Sequence, residues 1–294
     1  MEGPLESYVA TDSPFEILAP SVQRLPVVLA SPHSGADYPA DLLAASRLDP
    51  HSLRRSEDSF VDEIFAAGPG LGAPLLRAHF ARAYLDPNRE AFELDPAMFE
   101  DELPSYVNSR SPRVQVGLGT IARIVASGED IYAGKLRFAD ALLRIERLYV
   151  PYHKALSQLL EATRERFGYY MLLDCHSMPS SSGLHEHGGR PRVDFVLGDC
   201  HGTACHPVVL DTAQRLILSK GYTVARNAPY AGGFTTCHYG RPSENGHSLQ
   251  IEINRSLYMD ERRMVRKAFL GQLADDMRDL VARLGAIDAR ALAR

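Results

Sequence analysis

No stretch of this 294-residue chain approaches the ~20 consecutive apolar residues that a membrane span needs. The opening Met1-Glu2-Gly3-Pro4-Leu5-Glu6 has neither the basic start nor the apolar middle of a secretory signal, so a cytoplasmic protein is expected. Lys/Arg-rich blocks are missing too, and the formal net charge is −5, so nothing is arranged to neutralise nucleic-acid phosphates. Cysteine is sparse. Cys175, Cys200, Cys205 and Cys237 all fall in the C-terminal half beside other polar residues, unlike a disulfide framework, and read as reduced thiols. The Cys200-His201-Gly202-Thr203-Ala204-Cys205-His206 segment lacks a second Cys/His pair to close a structural zinc site. No repeat or low-complexity block interrupts a chain that is 45% hydrophobic and 23% charged. That composition suits a single domain over residues 1–294 with one large core, entered by a polar, extended segment over 1–24, as a monomer or small homo-oligomer.

The most informative stretch is Tyr169-Tyr170-Met171-Leu172-Leu173-Asp174-Cys175-His176-Ser177. A short apolar run between Gly168 and Pro179 reads as a buried strand that ends in an acid, a thiol and an imidazole. In open α/β sheets ligands bind beyond the carboxyl ends of the strands, so His176 marks a candidate site. A second such strand, Leu25 to Ala30, ends in Ser31-Pro32-His33-Ser34-Gly35, where proline and glycine build a turn that presents His33. Ser56 then reads as the cap of an amphipathic helix carrying Glu57 and Asp58 in its first turn. Residues 73–78 and 81–85 suggest paired strands closing on Asp86-Pro87-Asn88-Arg89, where an amide beside a planar guanidinium suits an anion clamp.

Residues 90–118 are loop-rich, and Gly117 to Arg123 is a flexible segment able to close over a ligand. Leu136 to Phe167 carries the longest helical pattern, which Pro151 should break or kink. A polar loop follows with His185 and His187, read as surface residues. A short strand over 194–199 and a helix over 207–220 come next. His247 to Asn254 alternates Leu249, Ile251 and Ile253 with Ser248, Gln250, Glu252 and Asn254, a polar face that suits a cleft floor. A last helix is expected from Asp260 onward, with Met264 on its core face.

His33, Asp58 and His176 together make a two-histidine, one-carboxylate set, which suits a catalytic zinc with a coordination position left open. Their wide spacing matches none of the short zinc motifs. Six segments, however, resemble in order the motifs of the N-formylglutamate amidohydrolase family: Ser31 to Gly35, Ser56 to Asp58, Leu85 to Arg89, Asp174 to Ser177, Gly232 to Gly240 and His247 to Glu252. The resemblance runs from about residue 25 to 265. It implies an α/β fold with a mixed central sheet flanked by helices on both faces, of the zinc-carboxypeptidase-like (phosphorylase/hydrolase-like) architecture. It also implies one Zn2+ per chain on His33, Asp58 and His176, with Glu57 the alternative to Asp58, and Glu252 as general base. Asn88 and Arg89 would clamp a carboxylate of a small acidic substrate, with Arg123 and His238 as further contacts. Phe60 and Phe234 stand where the family pattern carries histidine, which implies an altered pocket wall.

The activity so implied is hydrolysis of N-formyl-L-glutamate to formate and L-glutamate, as in histidine degradation. Alternatives are a zinc deacylase or carboxypeptidase for another N-acyl amino acid or peptide, and a non-catalytic small-molecule-binding homologue. Iron, cobalt or nickel would also suit the ligand set. A cysteine nucleophile at Cys175 is disfavoured, because adjacent side chains on a strand point to opposite faces and Cys175 should not meet His176.

Overall fold

The computed structural model describes residues 13–182 and 193–292, so His185 and His187 lie outside the described residues. Seven strands are hydrogen-bonded into one sheet: β1 (Phe15–Leu18), β2 (Val27–Ser31), β3 (Leu75–Ala78), β4 (Tyr170–Met178), β5 (Phe195–Gly198), β6 (Val224–Arg226) and β7 (Gly246–Asn254). Their order is β1-β3-β2-β4-β7-β5-β6. The middle strands β3, β2, β4 and β7 are parallel, whereas β1 runs against β3, and β5, with β6 parallel beside it, runs against β7, so the sheet is mixed. Every residue of β2, β4 and β7 is buried, which is why these strands read as apolar runs.

Strand alternation divides the core in two. Val27, Leu29, Leu173, Ile251 and Ile253 face the layer built by helices Val61–Ile64, Pro207–Ser219 and Leu270–Gly285. Val28, Leu76 and Leu172 face the opposite layer, where helix Val150–Phe167 contributes Tyr152, Leu156 and Leu160. Toward its C-terminal end that second face of β4 changes character, from Tyr170 and Leu172 to Asp174 and His176. The site therefore starts where this core layer stops. Leu173 lies on the other side of the same strand and is fully buried. Leu173→Ala is expected to cost about 2–5 kcal/mol, read as a lowered denaturation midpoint, because a buried strand can close the void only in part.

Four local expectations change. Residues 81–85 do not form a strand: Tyr84 and Leu85 both donate backbone hydrogen bonds to the Ala81 carbonyl, a helical turn that sets Arg82 over Asp86 at 2.9 Å. Asp58 precedes its helix instead of opening it. The helix begins at Val61 after Phe60, whose φ of 68° is left-handed, while the Asp58 amide is tied to the His33 carbonyl at 2.9 Å. Pro151 does not break the long helix. A π turn over Ile145–Tyr149 joins Phe138–Arg144 to Val150–Phe167, and the wider turn makes room for a ring that would otherwise strike the carbonyl four residues back. The C-terminal helix starts only at Leu270, because Met264 sits at φ 52° in a small hairpin of β8 (Met259–Asp260) and β9 (Val265–Arg266).

The cysteines also divide. Cys200 and Cys237 form a disulfide across 37 residues of sequence, so they are not the reduced thiols expected. The contact is long-range and had no local signal. Cys200 donates to the Ala231 carbonyl at 2.7 Å, Cys237 donates to the Gly233 carbonyl at 3.1 Å, and the turn between them closes the pair. Cys175 and Cys205 remain free and buried.

Candidate active site

Three elements meet at the C-terminal edge of the sheet. The turn after β2 presents His33, the link before helix Val61–Ile64 presents Asp58, and β4 presents His176. Asp58 Oδ2 lies 3.3 Å from His33 Nδ1 and 3.0 Å from His176 Nδ1. All three residues are buried, and their ligand-type atoms lie within 4.8 Å of one another, the one such His/Cys/Asp/Glu cluster among the described residues. Glu57 points elsewhere: it accepts from Tyr38, Ser59 and Arg54 at 2.6 to 3.1 Å. Asp58 is thus the carboxylate that meets both imidazoles.

Each imidazole is backed by an acid on its far nitrogen. His33 Nε2 is 2.7 Å from Asp86 Oδ1, and His176 Nε2 is 2.8 Å from Asp174 Oδ1. Asp174 is itself held by Thr236, whose hydroxyl donates to Oδ2 at 2.8 Å. The second oxygen of Asp58 accepts from Arg255 Nη2 at 3.0 Å and from the Ser177 hydroxyl at 3.2 Å. A carboxylate behind a ligating histidine fixes ring orientation and raises ligand basicity. The donor set of two imidazole nitrogens and one carboxylate oxygen, so braced, fits a divalent transition metal.

Burial opposes charge on these groups, and their partners overrule it. For Asp58 the hydrogen bonds from His176 and His33 outweigh burial and hold the carboxyl well below the usual carboxylate range. Burial would likewise raise Asp86, but Arg82, His33 and Arg89 keep it well below that range. Burial would lower His176, yet Asp174 and Asp58 hold it well above the usual histidine range. Glu252 differs. Burial pushes its carboxyl up to about 7, a rise that the field of Asp58 supports and His176 only partly offsets. Glu252 sits on β7 directly across the ladder from His176, with Gln250 Nε2 donating to its Oε1 at 3.0 Å.

A cavity of about 220 Å³ opens over these groups, lined by His33, His176, Gln250 and Glu252 on the sheet side and by Asn88, Arg89 and Gly233 among others. Asn88 is committed to the protein: its Oδ1 accepts from the Thr235 amide at 2.8 Å and its Nδ2 stands 3.0 Å from His176 Nε2. Arg89 spends Nε on the Leu118 carbonyl and Nη1 on the Asn88 carbonyl, leaving Nη2 3.7 Å from Asp86. Gly233 packs so closely on the Asn88 amide that a Cβ there would collide with it.

Two expected contacts lie elsewhere. Arg123 is outside the cavity, paired with Asp130 at 3.0 Å and with Asp95 at 3.5 Å. His238 lies in a separate open cleft with His153 and Tyr149, its ring stacked 4.7 Å from Phe234. Neither Phe60, which carries the Arg266 guanidinium 4.3 Å above its ring, nor Phe234 lines the cavity, so the altered wall expected from them is not there. The cavity instead contains Arg82, Arg113 and Arg255, which the sequence reading passed over. It also missed the bracing acids. Asp174 carried a usable signal, since two residues before His176 on a strand is the same face.

A family model described as N-formylglutamate amidohydrolase matches residues 25–259. The chain is 28% identical over 241 residues to an N-formylglutamate deformylase of Pseudomonas putida, covering 81% of this chain and 83% of that one. It is 26% identical over 272 residues to the N-formylglutamate deformylase of Pseudomonas aeruginosa, covering 92% and 94%. The crystal structure of an N-formylglutamate amidohydrolase from Ralstonia eutropha superposes with a TM-score of 0.88 at 41% identity, over 95% of this chain and 99% of that one. Together with the matched fold and the geometry at its sheet edge, these likenesses place the chain in the N-formylglutamate amidohydrolase family, among the hydrolases of amide C–N bonds.

Proposed function

We propose that the protein is a single-domain metal-dependent deformylase that hydrolyses N-formyl-L-glutamate to formate and L-glutamate, the reaction that serves histidine degradation. The observation that carries this reading is the convergence of His33, Asp58 and His176 beside a buried carboxylate, Glu252, on the floor of one cavity. His33, Asp58 and His176 would hold the ion, with zinc the first choice for two imidazoles and a carboxylate. Such an ion supplies Lewis acidity toward the formyl carbonyl and toward water.

The chain's own groups account for the proton traffic. Glu252 takes a proton from the attacking water as oxygen bonds to the formyl carbon. It returns that proton to the departing amine nitrogen as the C–N bond breaks, leaving formate and a free α-amino group. A carboxyl tuned to about 7 suits both halves of that task. Arg82, braced by Asp86 through Nε, keeps its Nη nitrogens free for substrate oxygen among the described residues. Arg89 adds positive charge to the same cavity.

The test is release of the free amino acid from N-formyl-L-glutamate compared with N-acetyl-L-glutamate and N-formyl-L-leucine. Turnover of the first alone supports the reading; turnover of another amide without it would select a different N-acyl amino acid as substrate. A second expectation concerns the bracing. Asp174→Asn is expected to weaken metal affinity about 10–100-fold, measured by competition with a chromophoric chelator, because the His176 ring loses the acid that orients it. Unchanged affinity would remove Asp174 from the metal site.

A further inference from the structure

Four arginines line the cavity, and their hydrogen bonds set them apart. Arg255 has every nitrogen engaged, by Ser177, the Arg55 carbonyl and Asp58. Arg89 has two of three engaged, and Arg82 has Nε engaged by Asp86. Arg82 belongs to the reacting end, since its charge acts on Asp86, Asp58 and Glu252. Arg113 alone has its whole guanidinium without a hydrogen bond or ion pair among the described residues.

Its backbone, by contrast, is fixed. Ser111 accepts from the amides of Arg113 and Val114 at 3.0 and 3.2 Å, Leu118 donates to the Arg113 carbonyl at 2.8 Å, and Val114 is buried. The side chain itself is exposed, at the rim of the cavity it helps to line. Arg113 also shares its wall with Arg89, because the Leu118 that closes its turn supplies the carbonyl that holds Arg89 Nε. The floor that carries Glu252 and His176 comes from β4 and β7, whereas Arg113 comes from the 111–118 segment. A substrate whose amide lies at Glu252 needs a cation for any carboxylate at its other end. A planar guanidinium with both edges free takes that carboxylate in a two-point bond, which no neutral isostere reproduces.

Resting on the deformylase reading above, we propose that Arg113 is the specificity-determining residue, receiving the side-chain carboxylate of the N-formylated acidic amino acid. It makes the enzyme select formylglutamate over formylglutamine.

The experiment measures kcat/KM for N-formyl-L-glutamate and N-formyl-L-glutamine in the metal-loaded wild type, Arg113→Gln and Arg113→Lys. The wild type is expected to favour the glutamate substrate about 10-fold, in the range of one charge-assisted hydrogen bond at a solvent-accessible rim. Arg113→Gln should lower kcat/KM for formylglutamate by about that factor, chiefly through KM, and leave formylglutamine within about twofold, with the thermal midpoint unchanged. Arg113→Lys should recover part of the preference. An unaltered preference in Arg113→Gln overturns the assignment, and so does an equal loss on both substrates, which marks a structural role. Wild-type protein that releases formate from neither amide overturns the deformylase reading and this assignment with it, an outcome distinct from the other two.

Discussion

Glu252→Gln is expected to leave a folded protein that still binds one metal ion per chain and releases formate about 10³-fold more slowly. Glutamine keeps the shape of the side chain, and its carbonyl oxygen can still accept from Gln250, so the buried hydrogen bond survives. What it cannot do is take up a proton. The pH dependence carries the same signature. Burial raises Glu252 to about 7, and only its deprotonated form accepts a proton from water, so activity falls as pH drops through that value. Positive charge bound nearby favours the carboxylate, so the acid limb of kcat/KM in the metal-loaded enzyme should lie at about 7 or below. The glutamine variant should lack this limb. A near-normal rate in Glu252→Gln, with metal content verified, would remove Glu252 from the role of base.

Stripping the metal with a chelator is expected to abolish formate release and leave the fold intact, with activity restored by zinc. The physical reason lies in the close contacts among the three ligands. Without an ion, Asp58 still meets both imidazoles at 3.3 and 3.0 Å and Arg255 at 3.0 Å, so no buried charge is stranded. In that state Asp174 and Asp58, against burial, hold His176 well above the usual histidine range and so favour its protonated form. Metal binding must expel that proton, so apparent affinity should weaken as pH falls and binding should release protons. Calorimetric titrations in two buffers of different ionisation enthalpy count them. Activity that survives chelation at undetectable metal content would rule out the metal-dependent reading.

Much of this was visible in the sequence, for physical reasons that differ by element. β2, β4 and β7 were legible because strands buried on both faces need apolar residues between turn signals, and His33, His176 and Glu252 interrupt that pattern. His33, Asp58 and His176 were grouped by residue type as a two-histidine, one-carboxylate set, and the motif resemblance added Glu252, since wide spacing carries little local information. Asp58 was found, but with the wrong setting, because an acid near a helix start reads as a dipole partner unless its true partners, two imidazoles from other elements, are known. Arg123, in the glycine-containing 117–123 segment, and His238, inside one motif, fall outside the cavity, because a place in such a stretch does not say which side of the chain faces it. Arg113 and Arg255 belong to turns that only tertiary packing brings to the site. The Cys200–Cys237 pair is legible only in three dimensions.

The ladder between β4 and β7 pairs His176 with Glu252 and Asp174 with Gln250 in direct register. The spacing between the strands that carry the His176 imidazole and the Glu252 carboxylate is thus set by main-chain hydrogen bonds, at the roughly 4.8 Å separation common to all sheets. The floor of the cavity and the Arg113 part of its rim therefore belong to different structural inheritances. The 111–118 segment that supplies Arg113 lies outside that ladder, whereas the loops of Asp86 to Arg89 and of Gly233 to Thr236 reach into it through His33, His176 and Asp174. A scaffold of this kind can change charge at that rim while the register of its floor stays anchored in the sheet.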